Sequence, residues 1–128
     1  MITKIAAIFL ILHGVIHLIG FLVPWGFMKI DTFKYTTTTL AGKIDLGPTG
    51  KRIEGLLWIV GAIGFVIAGI GLWMVTPWWF TLLVAVTLYS LVLCILGWPD
   101  SQYGVYINLV ILAVLLFGER VGLNFPGR

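Results

Sequence analysis

His13 and His17 are the only histidines in the chain, and they stand four residues apart. Both lie inside a run from Ile5 to Val23 that is otherwise apolar from end to end. Residues i and i+4 share a helix face, so the two imidazoles point the same way. Three chemistries follow from that arrangement. Two histidines one helical turn apart can hold a metal ion, with Glu54 available as a carboxylate ligand. Haem is the related option, although two histidines on one helix cannot clamp a haem from both faces within one chain. A neutral imidazole beside a carboxylate can also carry a proton. His17 with Glu54 or Asp100, oriented by Asn108, Tyr89 or Ser90, would act on a lipid, quinone or isoprenoid. The third option is binding alone, with the polar side chains as contacts for a small apolar or amphipathic molecule.

Packing is the competing account for every one of these residues. His13 and His17 can bond across helices to Ser90, Thr87 or Asn108, each such bond contributing about 0.6–2 kcal/mol in a membrane. Glu54 can pair with Lys51, Arg52 or Lys43, Asp100 can cap a helix, and Asn108 can bridge two helices. The chain has no H-E-x-x-H pattern, phosphate-binding loop, nucleophile motif or closely spaced carboxylate pair.

The elements that position these groups are set by composition. Of 128 residues, 60% are hydrophobic and 10% charged, against about 25% charged in soluble domains. With a mean hydropathy of +1.10, this describes a single integral membrane domain. The net charge of +3 comes from scattered basic residues and is no nucleic-acid signature. Cys94 is the only cysteine, which excludes an intrachain disulfide and a cysteine metal cluster. Met1 to Lys4 resembles the positive start of a signal peptide. The apolar run that follows is longer than such a peptide uses, and no small-x-small cleavage site follows it, so the segment is expected to be retained.

The expected fold is all-α, a four-helix transmembrane bundle running up-down-up-down. Helices are predicted over about 5–23, 53–75, 78–96 and 101–117. Tight turns at Thr76-Pro77 and Gly97-Trp98-Pro99-Asp100 make consecutive helices antiparallel neighbours, and Asp100 is the expected N-cap of the last. Residues 25–52 form the one long connection. Its Phe27, Phe33 and Tyr35 suggest a lid on the membrane surface, with Trp25 as an interfacial anchor; a plain tether is the alternative. The connection carries Lys29, Lys34, Lys43, Lys51 and Arg52, against Lys4, Arg120 and Arg128 at the other side. The positive-inside rule then places the connection in the cytoplasm.

Small residues allow membrane helices to approach closely. The second helix offers Gly61, Gly64, Ala68 and Gly71, a line that extends back to Glu54. The third offers Thr87, Ser90, Cys94 and Gly97, the first Ala6, His13, His17 and Gly20, and the fourth Ser101, Gly104 and Asn108. These four stripes are expected to meet. At 1.5 Å rise per residue, His17, Ser90 and Asn108 all lie about 10 Å in from the connection side, with Tyr89 at similar depth. Glu54, Asp100, Gln102 and Tyr103 sit nearer that surface. The polar residues therefore gather beneath the long connection, which predicts a pocket there. The same stripes could instead join copies of the chain, so a homo-oligomer with a structural or transport role is the rival expectation.

Four stretches also carry a resemblance: His13-Gly14 to Gly20-Phe21, Thr39 to Gly47, Leu96-Gly97-Trp98-Pro99-Asp100 to Gly104, and Ile107-Asn108. Together they resemble a group of small four-helix prokaryotic membrane proteins often labelled loosely as ABC-transporter permeases. In layout the chain is broadly similar to DoxX-like proteins. The resemblance implies the four-helix layout and no particular activity, cofactor or site residue; a multi-pass protein of the prokaryotic inner membrane, in contact with lipid, is the expected setting.

Overall fold

The computed structural model describes residues 1–128. Helix α1 covers Ile2–His17, and after Leu18 the short α2, Ile19–Leu22, continues it. Helices α3 (Gly47–Trp73), α4 (Trp79–Leu96) and α5 (Gln102–Phe117) follow. A 3₁₀ turn at Gly118–Val121 closes α5. With α1 and α2 taken together, the chain has four segments of 18 to 27 residues that are long and apolar enough to cross a membrane. A hydrocarbon core about 30 Å thick needs about 20 helical residues. Helices meet the other demand of lipid as well, since every backbone polar group within the segment is satisfied internally. The fold is thus an all-α bundle of four apolar helical segments.

Polarity is inverted relative to a soluble bundle. Asn108, Thr87 and Ser90 are fully buried, whereas Ile5, Leu12, Ile63, Leu88, Val92 and Val110 lie on outer faces. Lipid makes an outward isoleucine cost nothing, so the inside is free to hold polar groups that bond to one another. The apolar core has two parts. A larger cluster includes Ala7, Leu10, Phe65, Leu72, Leu83, Val86 and Ile111, and a smaller one joins Trp58, Leu93 and Cys94. Ser90 falls between Val86 and Leu93 in sequence, at the boundary of the two.

Helix α3 is the hub, and it has two small-residue faces. One is Gly55, Ala62 and Gly69, at seven-residue spacing, and it receives the first segment. A Cβ on Gly69 would stand 2.9 Å from the carbonyl oxygen of Ala7, and one on Gly14 would stand 2.8 Å from that of Ala62. The second face is the line Gly61, Gly64 and Gly71. It was expected to meet all the other stripes, but it packs mainly on α4 and the turn before it. Gly64 faces Val86, Gly71 faces Trp78, and Gly61 faces both Tyr89 and His17. The reason is geometric: a central helix needs one groove for each neighbour, and one line of small residues makes only one groove.

Contacts run in opposite senses along successive helices. Residue numbers rise on one helix as they fall on the next in the series Ala7/Gly69 and Gly14/Ala62, and again in Gly71/Trp78, Gly64/Val86 and Gly61/Tyr89. The same holds for Ser90/Asn108 and Cys94/Gly104. Helix α1 packs on α3, α3 on α4 and α4 on α5, while α1 and α5 share no comparable packed face.

The connection is shorter than positions 25–52, because α3 starts at Gly47 with Pro48 in its first turn, where a missing N–H costs no helical bond. The connection also holds a small antiparallel hairpin, β1 (Thr38–Thr39) against β2 (Ile44–Asp45). The hairpin is strapped to the end of α4. Thr39 Oγ1 and Leu40 N each donate to the carbonyl of Leu96 at 2.6 Å, and Ala41 N donates to that of Trp98 at 3.0 Å. The Leu96 carbonyl is one that the C-terminus of α4 leaves free. At the start of α5 the N-cap is Ser101, not Asp100, and no side chain caps the helix. Ser101 Oγ instead donates backward to the carbonyl of Cys94 at 2.7 Å. At the other end the tail folds back, with Trp79 Nε1 donating to the carbonyl of Pro126 at 2.8 Å.

Candidate functional site

Three helices bring His13, His17, Ser90 and Asn108 into one buried hydrogen-bonded chain. Its direction follows from the one group that can only accept. His17 Nδ1 lies 2.8 Å from the carbonyl oxygen of His13, so Nδ1 carries a proton and donates. In the neutral ring Nε2 is then an acceptor, and Ser90 Oγ–H donates to it at 2.6 Å. Ser90 Oγ in turn accepts from Asn108 Nδ2 at 2.8 Å. The carboxamide oxygen of Asn108 must therefore face His13, which donates to it from Nε2 at 3.3 Å. Asn108 Nδ2 also lies 3.6 Å from Cys94 Sγ. One peptide carbonyl thus orders the protons of two imidazoles, a hydroxyl and an amide.

Aromatic rings hold the imidazoles in place. Phe65 packs against both, its ring centroid 4.7 Å from that of His13 and 5.1 Å from that of His17. Trp58 lies 5.4 Å from His17, and Phe9 stacks beside His13 at 6.0 Å. Close approach of α1 to α3 at Gly14 seats Phe65 between the two histidines.

Glu54 belongs to a second cluster. Its Oε2 accepts from Lys51 Nζ at 3.0 Å, and Lys51 also donates to the carbonyl of Thr38 at 3.1 Å. Thr39 Oγ1 approaches Glu54 Oε1 at 3.4 Å. Lys51, Glu54 and Thr39 are all buried, so an ion pair pins the hairpin onto α3. A buried pair of this kind is costly to break, because the remaining charge is left unpaired.

The other expected residues take separate places. Tyr89 donates its hydroxyl to the carbonyl of Leu57 at 2.8 Å and so joins α4 to α3. Asp100 is exposed in the turn before α5. Tyr103 is 71% exposed, at the rim rather than in the interior. Neither Glu54 nor Asp100 bonds to a histidine, so the His–carboxylate pairing considered for proton transfer is not assembled. No group of three or more His, Cys, Asp or Glu side chains is placed to hold a metal. His13 and His17 also face each other edge to plane, 4.8 Å between centroids, with three of their four ring nitrogens already engaged.

Three cavities open at the connection end, and two of them reach the buried polar groups. One of about 350 Å³ lies under the hairpin and is lined by Lys51, Glu54, Thr39, Trp58 and Asp100 among others. The other, about 680 Å³, lies between the first segment and the start of α5, roofed by Ile30, Thr32 and Phe33 of the connection. His13, His17, Gly20, Trp58, Asp100 and Tyr103 line it. The roles of Thr39 and Phe65 had no signal in the sequence, since one lies in a loop and the other looks like any core aromatic. Lys51 was one of three partners that the sequence offered Glu54, beside Arg52 and Lys43, and it is the one that pairs. No protein-family model, no curated protein and no solved structure matches the chain.

Proposed function

We propose that this is a multi-pass membrane protein that binds a small apolar or amphipathic molecule in an intramembrane pocket beneath its long connection. The opposed contact registers of successive helices support an up-down-up-down path across the bilayer. The resemblance to small prokaryotic membrane proteins supports placement in the inner membrane. The observation that carries the binding reading is the cavity of about 680 Å³ between α1 and α5. Its wall includes His13 and His17 of the neutral polar network, set among apolar side chains such as Ile16, Ile19, Trp58 and Ile107. A pocket that is apolar with a few convergent polar groups is the usual form of a small-molecule site. The ordered network serves as a rigid polar wall, because each of its members is held by the next.

The test is to purify the protein gently in detergent, extract it, and identify by mass spectrometry what co-purifies. The expected result is an amphipathic molecule near one per chain, reduced at least tenfold in His13→Ala. A wild-type protein that is empty and takes up no lipid-like probe overturns the reading and leaves the histidines as interhelical contacts.

A further inference from the structure

We infer that the pocket takes a long-chain lipid whose head is a neutral hydroxyl, seated with the hydroxyl on His13 Nδ1 and the chain along the α1–α5 seam. The inference rests on the binding reading above and names the class of ligand.

Its first support is an unused acceptor. In the ordered network His13 donates from Nε2 to Asn108, which leaves Nδ1 as a lone pair with no hydrogen bond. Every fully buried side-chain nitrogen and oxygen in the molecule has a partner. Nδ1 is therefore not sealed in the core, and His13 lines the cavity. Both nitrogens of His17 are occupied. The Asp100 carboxylate is a second acceptor on the same cavity, and it has no hydrogen-bond partner. A hydroxyl can donate to either of these groups and can accept from Trp58 Nε1, which lines the same cavity and has no hydrogen-bond partner of its own, whereas an ether or a carbonyl can only accept.

Charge supplies the second support. No lysine or arginine lines this cavity, and its one ionised side chain is Asp100. A phosphate head would meet a like charge with no cation to offset it. Lys34 lies on the neighbouring cavity under the hairpin, as does Lys51, whose charge is already paired with Glu54.

The third support is the shape of the seam. A further cavity of about 310 Å³, lined almost wholly by apolar side chains, lies at the other end of the same two helices. On α1 and its continuation α2 the two cavities are lined by Ile2, Ala6 and Phe9, then by His13, Ile16 and Gly20. That spacing of three and four is one continuous helix face. On α5 they are lined by Gly104 and Ile107, then by Ile111 and Val114, again one face. From His13 to Ile2 the seam runs about 16 Å at 1.5 Å per residue, which suits an acyl or prenyl chain. Polar at one end and apolar at the other, with a cavity at each end, the seam matches a molecule built the same way.

The test uses the full-length protein in nanodiscs and photoreactive probes in matched pairs. One pair is a diacylglycerol and its methyl ether; the other is a long-chain isoprenoid alcohol and its methyl ether. A phosphatidic acid with the same acyl chains is the charged comparison. The expected result is that one or both alcohols label α1 and α5 at least tenfold better than the matching ether and the phosphatidic acid. Whichever alcohol labels identifies the chain type. His13→Phe is expected to bring the alcohol-to-ether ratio near one, and Val114→Trp to reduce labelling by the alcohol while leaving that ratio unchanged. Equal labelling by alcohol and ether in the wild type, each displaced by the other, overturns the hydroxyl assignment while the pocket stands. Absence of saturable labelling by any probe overturns the pocket reading along with it.

Discussion

Ser90 is the hinge of the polar network, because its hydroxyl donates to His17 Nε2 and accepts from Asn108 Nδ2. Ser90→Ala removes both bonds and leaves a lone pair and an N–H buried without partners. That is expected to lower stability by about 1–3 kcal/mol, read as an earlier midpoint in detergent unfolding. Thr87 was an equal candidate in the sequence, being as small, as polar and on the same stripe. In the structure it bonds to its own helix, Oγ1 to the Leu83 carbonyl at 2.6 Å, a common fate of a threonine inside a helix. Thr87→Val is accordingly expected to move the midpoint much less than Ser90→Ala. Choosing between the two needed the position of α5, since only Ser90 lies within reach of Asn108. The histidine pair was legible because two ionisable groups in an apolar run must face inward. Which nitrogen donates was not, since that depends on a carbonyl four residues back and on side chains from two other helices.

The packing of α1 on α3 depends on Gly14 and Gly69, which bring the helix backbones close enough to seat Phe65 against both imidazoles. A Cβ on Gly14 would stand 2.8 Å from a backbone oxygen and 2.9 Å from Phe65 Cβ, and neither neighbour is a flexible chain end. Gly14→Val is expected to cost about 1–3 kcal/mol by overpacking and to weaken ligand retention by shifting the histidines. Ile63→Ala, on the outward face of α3, is expected to stay within about 0.5 kcal/mol. Both are read from unfolding midpoints in the same detergent. The sequence showed that α3 is rich in small residues but pointed to one line, Gly61, Gly64, Ala68 and Gly71, as the meeting place. The heptad Gly55, Ala62 and Gly69 does as much, and only the presence of helices on two sides shows why both are needed. The hairpin was less legible still. Its strands are two residues long, too short for any alternation to register, and what holds it is the free carbonyl end of α4.

Taken as a whole, the molecule is a bundle of apolar helices with its polar groups turned inward and its one long connection gathered over one end. Cysteine labelling checks the arrangement in the bilayer. With an up-down-up-down path, single cysteines at Ile2 and at Lys43 are expected to react with an impermeant maleimide from opposite faces of intact vesicles. Native Cys94, 1% exposed, is expected to react only after denaturation in SDS. Labelling of both added cysteines from the same face would refute the path. The sequence alone determined the solvent and the fold class. Apolar runs of that length have one stable state in lipid, so the helices, their approximate limits and the inward turn of the histidines followed from local pattern. Tertiary structure decided the partners: Ser90 over Thr87 for His17, Lys51 for Glu54, the peptide carbonyl of Leu96 for Thr39. It also left α1 and α5 without a packed face between them, which is where the cavities lie. Those outcomes depend on how far apart residues stand across helices, a quantity that no periodicity along the chain encodes.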